Sequence, residues 1–128
     1  MDAAQALADL TEISSQVEAA VLFDESGEVA GSTLPGDEDA AALARAAGAL
    51  LARARELGDG GEVTQVEAST PNGSVFVVSD GPRRIAATTA ADPTTGLVFY
   101  DLKSCLRESA PETRPRRRRT AKKDGDEA

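Results

Sequence analysis

Residues 69 to 84 read "STPNGSVFVVSDGPRR", two glycine-containing bends around the most apolar run of the chain. As a phosphate-cradling loop they would announce a nucleotide enzyme; as turns they announce a sheet. A phosphate loop needs glycines that lead into a helix start, with Lys-Ser/Thr for the Walker type. These lead from strand to strand, and no G-x-x-x-x-G-K-[ST] occurs anywhere. "SVFVV" is too short for a helix of its own and rich in β-branched residues, which predicts a strand buried on both faces. Asn72-Gly73 is a strong hairpin signal, since both residues tolerate positive φ. "SDGP" bends the chain again before "RRIAATTA". The glycines are turn residues.

Outward from that stretch the pattern stays regular. "EVTQVEAST" alternates Thr64, Val66 and Ala68 against Gln65 and Glu67, as a half-buried strand does. With the next two strands it makes a three-stranded meander. Upstream, Ala3, Leu7, Leu10 and Ile13 recur at 3- and 4-residue steps, extending toward Val17, and predict an amphipathic helix. Two β-capable runs, 17 to 23 and 28 to 34, then flank the turn chemistry of "DESG". "PGDEDAA" opens a long helix, with Asp37 or a neighbour as N-cap and acidic residues favoured by the dipole, and "GDGG" ends it after Leu57. Asp92-Pro93 starts a last helix whose Val98, Leu102, Cys105 and Leu106 share a broad face. The predicted class is α+β: a single domain, α-β-β-α-β-β-β-α, with a five-stranded antiparallel sheet and helices on both faces.

Composition bounds the function. The 128 residues carry only 3% aromatics and no Trp, so the core must be built from Ala, Val and Leu. One cysteine forms no internal disulfide and fits a reducing compartment. No apolar run approaches the ~18 residues of a membrane span, and "MDAAQALADL" lacks a basic signal region. The expectation is a cytoplasmic protein that does not insert into membranes.

The net charge of -8 conceals an asymmetry. Residues 111 to 128 hold seven Lys/Arg against four Asp/Glu, leaving a body with seven against eighteen, a net of -11. "PETRPRRRRTAKKDGDEA" has no Val, Leu, Ile or aromatic to offset the entropy of ordering, so residues 110 to 128 are predicted to be a disordered Arg/Lys-rich tail. Its patch of Arg116, Arg117, Arg118, Arg119, Lys122 and Lys123 is either simply solvated or meets an acidic surface, this body included. Nucleic acid is disfavoured, because the body repels phosphates and the tail offers no aromatic to stack on bases.

Equipment for catalysis is thin. There is no His, the commonest general base and metal ligand. Cys105 on a helix without a His partner reads as a packing thiol. Asp37-Glu38-Asp39 lacks the Gly and distal Glu of a calcium loop and suits a helix N-terminus. No catalytic, metal or cofactor-binding residue is predicted.

The long helix carries more. At 100° per residue, Ala40, Leu43, Ala47, Leu50, Ala54 and Leu57 form the expected core stripe. Ala41, Ala44, Gly48 and Leu51 lie on the adjoining flank, bounded by Arg55. The apolar or small arc is wider than one sheet face demands, and mid-helix Gly48 costs about 1 kcal/mol against Ala. Close approach of a second helix would compensate, so this flank is the predicted dimer contact.

The element order, "VEAAVLFDESGEVAGS", the Ala-rich second helix, "GSVFVVSDG" and "DPTTGLVFYDLKSCLRE" together resemble the Roadblock (dynein light chain) family over about residues 3 to 108. The resemblance implies a Roadblock-like domain over residues 1 to 109, with the long helix on one sheet face and the terminal helices on the other. It implies no catalytic residues, dimerisation with itself or a paralogue, and service as a scaffold or regulator of a small Ras-like GTPase. The edge strand carrying Gln65 and Glu67 would pair across that dimer. The basic tail is outside the family pattern. The competing reading is a signalling module of similar shape that binds a small ligand or another protein without a GTPase partner.

Overall fold

A computed structural model describes residues 2–58 and 62–110. The predicted tail beyond Ala110 lies outside the described residues. The order is α1 (Ala3–Ile13), β1 (Val17–Asp24), β2 (Val29–Ser32), α2 (Asp37–Leu57), β3 (Gln65–Thr70), β4 (Gly73–Asp80), β5 (Arg83–Thr89) and α3 (Thr95–Glu108). All pairings are antiparallel, and the sheet runs β2-β1-β5-β4-β3. The predicted class and element order are those observed.

The pleat sorts the strands onto two cores. Ala20, Leu22, Phe76, Val78, Ile85 and Ala87 point toward α1 and α3, while Val21, Phe23, Val77 and Ala86 point toward α2. Phe76, Val77 and Val78 are all buried, so β4 is covered on both faces as its sequence predicts. Phe76 meets Phe99 of α3 edge to face, with ring centroids 5.0 Å apart at 77°, a geometry that adds to simple burial.

The turns show their chemistry in detail. In β1–β2, Asp24 Oδ1 accepts from Ser26 N at 2.9 Å, Ser26 Oγ at 2.6 Å and Glu28 N at 3.0 Å, and Gly27 takes φ +92°. The β3–β4 hairpin differs from expectation by one residue. Thr70 pairs with Gly73, so Pro71 and Asn72 are the loop, and Asn72 does not adopt positive φ. Pro71 supplies the fixed φ of a first turn position, while Thr70 Oγ1 accepts from Asn72 N and Gly73 N at 3.1 and 3.2 Å. Gly73 is needed for another reason: a Cβ there would collide with the Thr89 carbonyl oxygen of β5. The last helix starts two residues later than predicted, with Thr94 as N-cap, and left-handed Asp92 (φ 60°) turns the chain into it.

Candidate interaction surface

The long helix α2 lies alone on its sheet face. Gly36, the neighbour of Asp37, is its N-cap and offers no side-chain bond, while Asp37, Glu38 and Asp39 fill the first turn where the dipole favours them. Its buried stripe is Ala40, Ala44, Ala47 and Leu51, packed with Val21, Phe23, Val77 and Ala86. Two predicted dimer-contact residues are therefore corrected: Ala44 is 1% exposed and Leu51 0%, so both belong to the protomer core. Conversely Leu57, predicted as core, is 90% exposed. The physical reason is a phase error. Leu43, Leu50 and Leu57 recur every seven residues and outvote the single Leu51, while the alanines among them carry no phase. What decides the phase is closeness, since three alanines let the helix settle onto the sheet.

With the helix turned this way, its outer surface is not the predicted flank. Ala42, Ala46 and Ala49 are exposed, bordered by half-buried Leu43 and Leu50 and by Leu57. Leu43, Ala46, Leu50, Arg53 and Leu57 follow a 3- and 4-residue repeat, the spacing of a helix–helix seam. Arg53 pairs with Glu56 at 3.4 Å on this surface.

The remaining predicted residues scatter. Ala41 and Gly48 are half-buried on one flank of α2, Ala41 beside β2 and Gly48 over Arg84 of β5. Arg55 is occupied within the protomer: Nε donates to the Val63 carbonyl at 3.2 Å and Nη2 to Ser79 Oγ at 3.4 Å, tying the segment after α2 to β4. A Cβ on Gly48 would lie 3.9 Å from Arg84 Nη1, an ordinary contact, so nothing inside the protomer requires glycine. Arg84 Nε is buried beneath the helix without a hydrogen-bond partner among the described residues.

Beside α2, β3 forms one edge of the sheet, and no other strand among the described residues pairs with its outer row of backbone groups. Gln65 is exposed on it. Glu67 is half-buried, and its carboxylate accepts from Ser69 Oγ at 3.0 Å and Thr95 Oγ1 at 3.3 Å, fastening the edge to the start of α3. Gln65 and Glu67 lie opposite Val78 and Phe76 and so project to the α1/α3 face, while Val66 between them packs under α2. Ala44 and Leu51 are removed from the helix surface, and Arg55 is tied down within the protomer. The seam of Ala42, Ala46 and Ala49 escaped sequence reasoning because alanine gives a helical wheel no contrast.

Elsewhere, Cys105 is buried between α1 and α3, with Sγ donating to the Ala6 carbonyl at 3.4 Å. Burial pushes its thiol up to about 11, and the Glu108 charge adds to this; a thiol so protonated is no nucleophile. Among the described residues no three His, Cys, Asp or Glu side chains are placed to hold a metal, and no helix is long and apolar enough to cross a membrane.

The comparisons with known proteins agree with this architecture. The family model of the Roadblock/LC7 domain matches residues 3–90. A crystal structure of a Roadblock/LC7 domain from Streptomyces avermitilis is similar at 20% identity and TM-score 0.76, over 84% of this chain and 94% of that one. MglB from Myxococcus xanthus is similar at 16% identity and TM-score 0.62, over 83% of this chain and 80% of that one. The gliding protein MglB from Thermus thermophilus is similar at 19% identity and TM-score 0.62, over 84% of both chains. No curated protein sequence matches the chain. With the family model spanning more than half of its length, the chain belongs to the Roadblock/LC7 domain family.

Proposed function

We propose that this protein is a non-catalytic dimeric scaffold that docks and regulates a small Ras-like GTPase in the cytoplasm. The observation that carries the reading is the outer face of α2 beside the open edge of β3. Ala42, Ala46 and Ala49 let a second helix approach closely, Leu43, Leu50 and Leu57 supply apolar area, and the edge strand offers backbone groups to a copy of itself. A two-fold contact is self-complementary, so the same face serves on both protomers. Family membership supports the scaffold role, and a structure described as MglB with a tetrameric arrangement supports assembly as its mode of work. The GTPase partner comes from the family resemblance.

Sedimentation at micromolar concentration tests the dimer. Ala46→Glu leaves the protomer intact, because Ala46 is exposed and Glu is a good helix former. It places an unpaired carboxylate in the seam, which costs several kcal/mol when desolvated. The wild type should sediment as a dimer and the variant as a monomer; a monomeric wild type defeats the proposal. Binding to a small Ras-like GTPase loaded with GDP or a GTP analogue tests the second half. One state should bind better, since only differential affinity shifts a switch; equal affinity reduces the protein to a tether.

A further inference from the structure

The face opposite α2 carries a groove of about 200 Å³ between α1 and α3, lined by Asp9, Ile13, Tyr100, Asp101 and Glu108 among others. Its floor holds an anomaly. Asp101 is only 8% exposed, yet among the described residues no donor or cation engages its carboxylate. The arginines on and against α3 are occupied elsewhere. Arg83 donates to the Leu106 carbonyl at 2.9 Å and to Ser109 Oγ, and Arg107 donates to Ser104 Oγ at 3.3 Å. The Asp101 oxygens are not sealed from water and open on the groove, where a cation supplied from outside can pair with them. Asp9 and Glu108 add negative charge at the rim, both near enough to raise the Cys105 thiol further. These carboxylates do not converge as metal ligands do; spread along a groove, they suit a row of separate cations.

The chain carries such a row. Residues 114 to 123, "RPRRRRTAKK", hold seven cations and no acid, and they follow directly on the helix that forms one wall of the groove. α3 ends at Glu108. From Ala110 to Arg116 the backbone spans up to roughly 20 Å when extended, whereas Asp101 lies about 10 Å back along the α3 axis from Glu108. The reach is ample. Guanidinium groups match carboxylates through two parallel N–H donors, and they also stack on aromatic faces, which Tyr100 offers at 65% exposure.

We propose that the chain's own basic segment, residues 114 to 123, docks in the α1/α3 groove with an arginine on Asp101 and its neighbours near Asp9, Tyr100 and Glu108. Docking in cis withholds the arginines from acidic partners until competition or salt releases them, and leaves the α2 face free.

Tyr100 is the single tyrosine of a chain without tryptophan, so its fluorescence reports on the groove alone. Acrylamide quenching is measured on the full chain at 10 mM and 1 M salt, between which the Debye length falls from about 30 Å to about 3 Å. A guanidinium over one ring face halves access, so quenching should rise about twofold at high salt. Arg116→Gln, Arg117→Gln, Arg118→Gln and Arg119→Gln combined should give the same rise at low salt without touching the folded body. Asp101→Asn should reproduce most of it. Quenching indifferent to the arginine replacements overturns the proposal, as does a rise with those replacements that Asp101→Asn does not reproduce. Quenching that rises on dilution assigns the segment to another copy's groove and equally overturns docking in cis.

Discussion

The two faces of the sheet are covered by different means. On one side two helices bring bulky side chains, with Leu7, Leu10, Val98, Phe99, Leu102 and Leu106 closing over Phe76 and Ile85. On the other a single helix brings Ala40, Ala44, Ala47 and one fully buried leucine, Leu51. Bulk makes the first face self-sufficient; closeness makes the second thin. A helix seated on alanines keeps its leucines at the margin, where Leu43 and Leu50 are half out of water. The thin face thus keeps a row of leucines at its margin, whereas the bulky face leaves Ile13, Leu97 and Tyr100 exposed as separate residues of α1 and α3. On the proposed reading, stability of the protomer and assembly are divided between opposite sides of one sheet.

The sharpest way to break that division is to weaken the bulky side. Phe76→Ala removes a 0%-exposed ring and its edge-to-face contact with Phe99. It should cost about 3–5 kcal/mol, read as a lowered denaturant midpoint in the monomeric Ala46→Glu background, where the midpoint does not depend on protein concentration. If instead the loss were recovered by raising concentration, the two faces would not be separable.

How far the sequence discloses this arrangement depends on contrast. Strands are legible because their two faces are written in alternate residues: Ala20 and Leu22 go one way, Val21 and Phe23 the other. The "DESG" bend is legible because Asp, Ser and Gly each have a distinct job there. The Asn72-Gly73 reading errs by one residue, since Pro71 claims the turn and Gly73 is fixed by a neighbouring strand that the sequence does not place. In α2 the pattern is nearly illegible, because alanine fits core and surface alike and seven-residue leucines mimic a core stripe. The wheel accordingly lays the interface on Ala44 and Leu51, which the sheet has already taken. Asp101 draws no notice in the sequence although the wheel sets it about 40° from Cys105, at the border of the apolar face. That a carboxylate there would be buried depends on α1, which is distant in the chain.

A smaller change sharpens the comparison at the thin face. Gly48→Ala adds a methyl that meets only the Arg84 guanidinium, at 3.9 Å. Within a protomer it should stabilise α2 by up to about 1 kcal/mol, raising the melting temperature of the monomeric Ala46→Glu background. In the wild-type background the same methyl lies about 200° round the helix from Ala46, away from the Ala42, Ala46 and Ala49 face, so the gain there should be the same. A gain in the monomer that shrinks or reverses in the dimer would move the close approach to Gly48 and off that face. Equal gains in both backgrounds leave it there.

The smallest effect belongs to neither face but to the turn that joins β1 to β2 at their edge. Three donors hold the Asp24 carboxylate: the Ser26 hydroxyl, with the largest influence, and the backbone amides of Ser26 and Glu28. Together they keep its ionisation below the usual carboxylate range. A carboxyl more acidic in the folded chain than in the unfolded one stabilises the fold while both forms are ionised. That contribution is whole above the unfolded value of about 3.9 and disappears as pH falls through the lower folded value. Wild type should melt above Asp24→Ala at pH 7, and the two should converge only below about pH 4. Because the carboxylate is solvated, the gap should be modest, and the turn leading into β2 should show it first through faster amide exchange at Glu28. A gap that is flat from pH 7 to pH 2 would mean that Asp24 acts by shape alone, its charge counting for nothing.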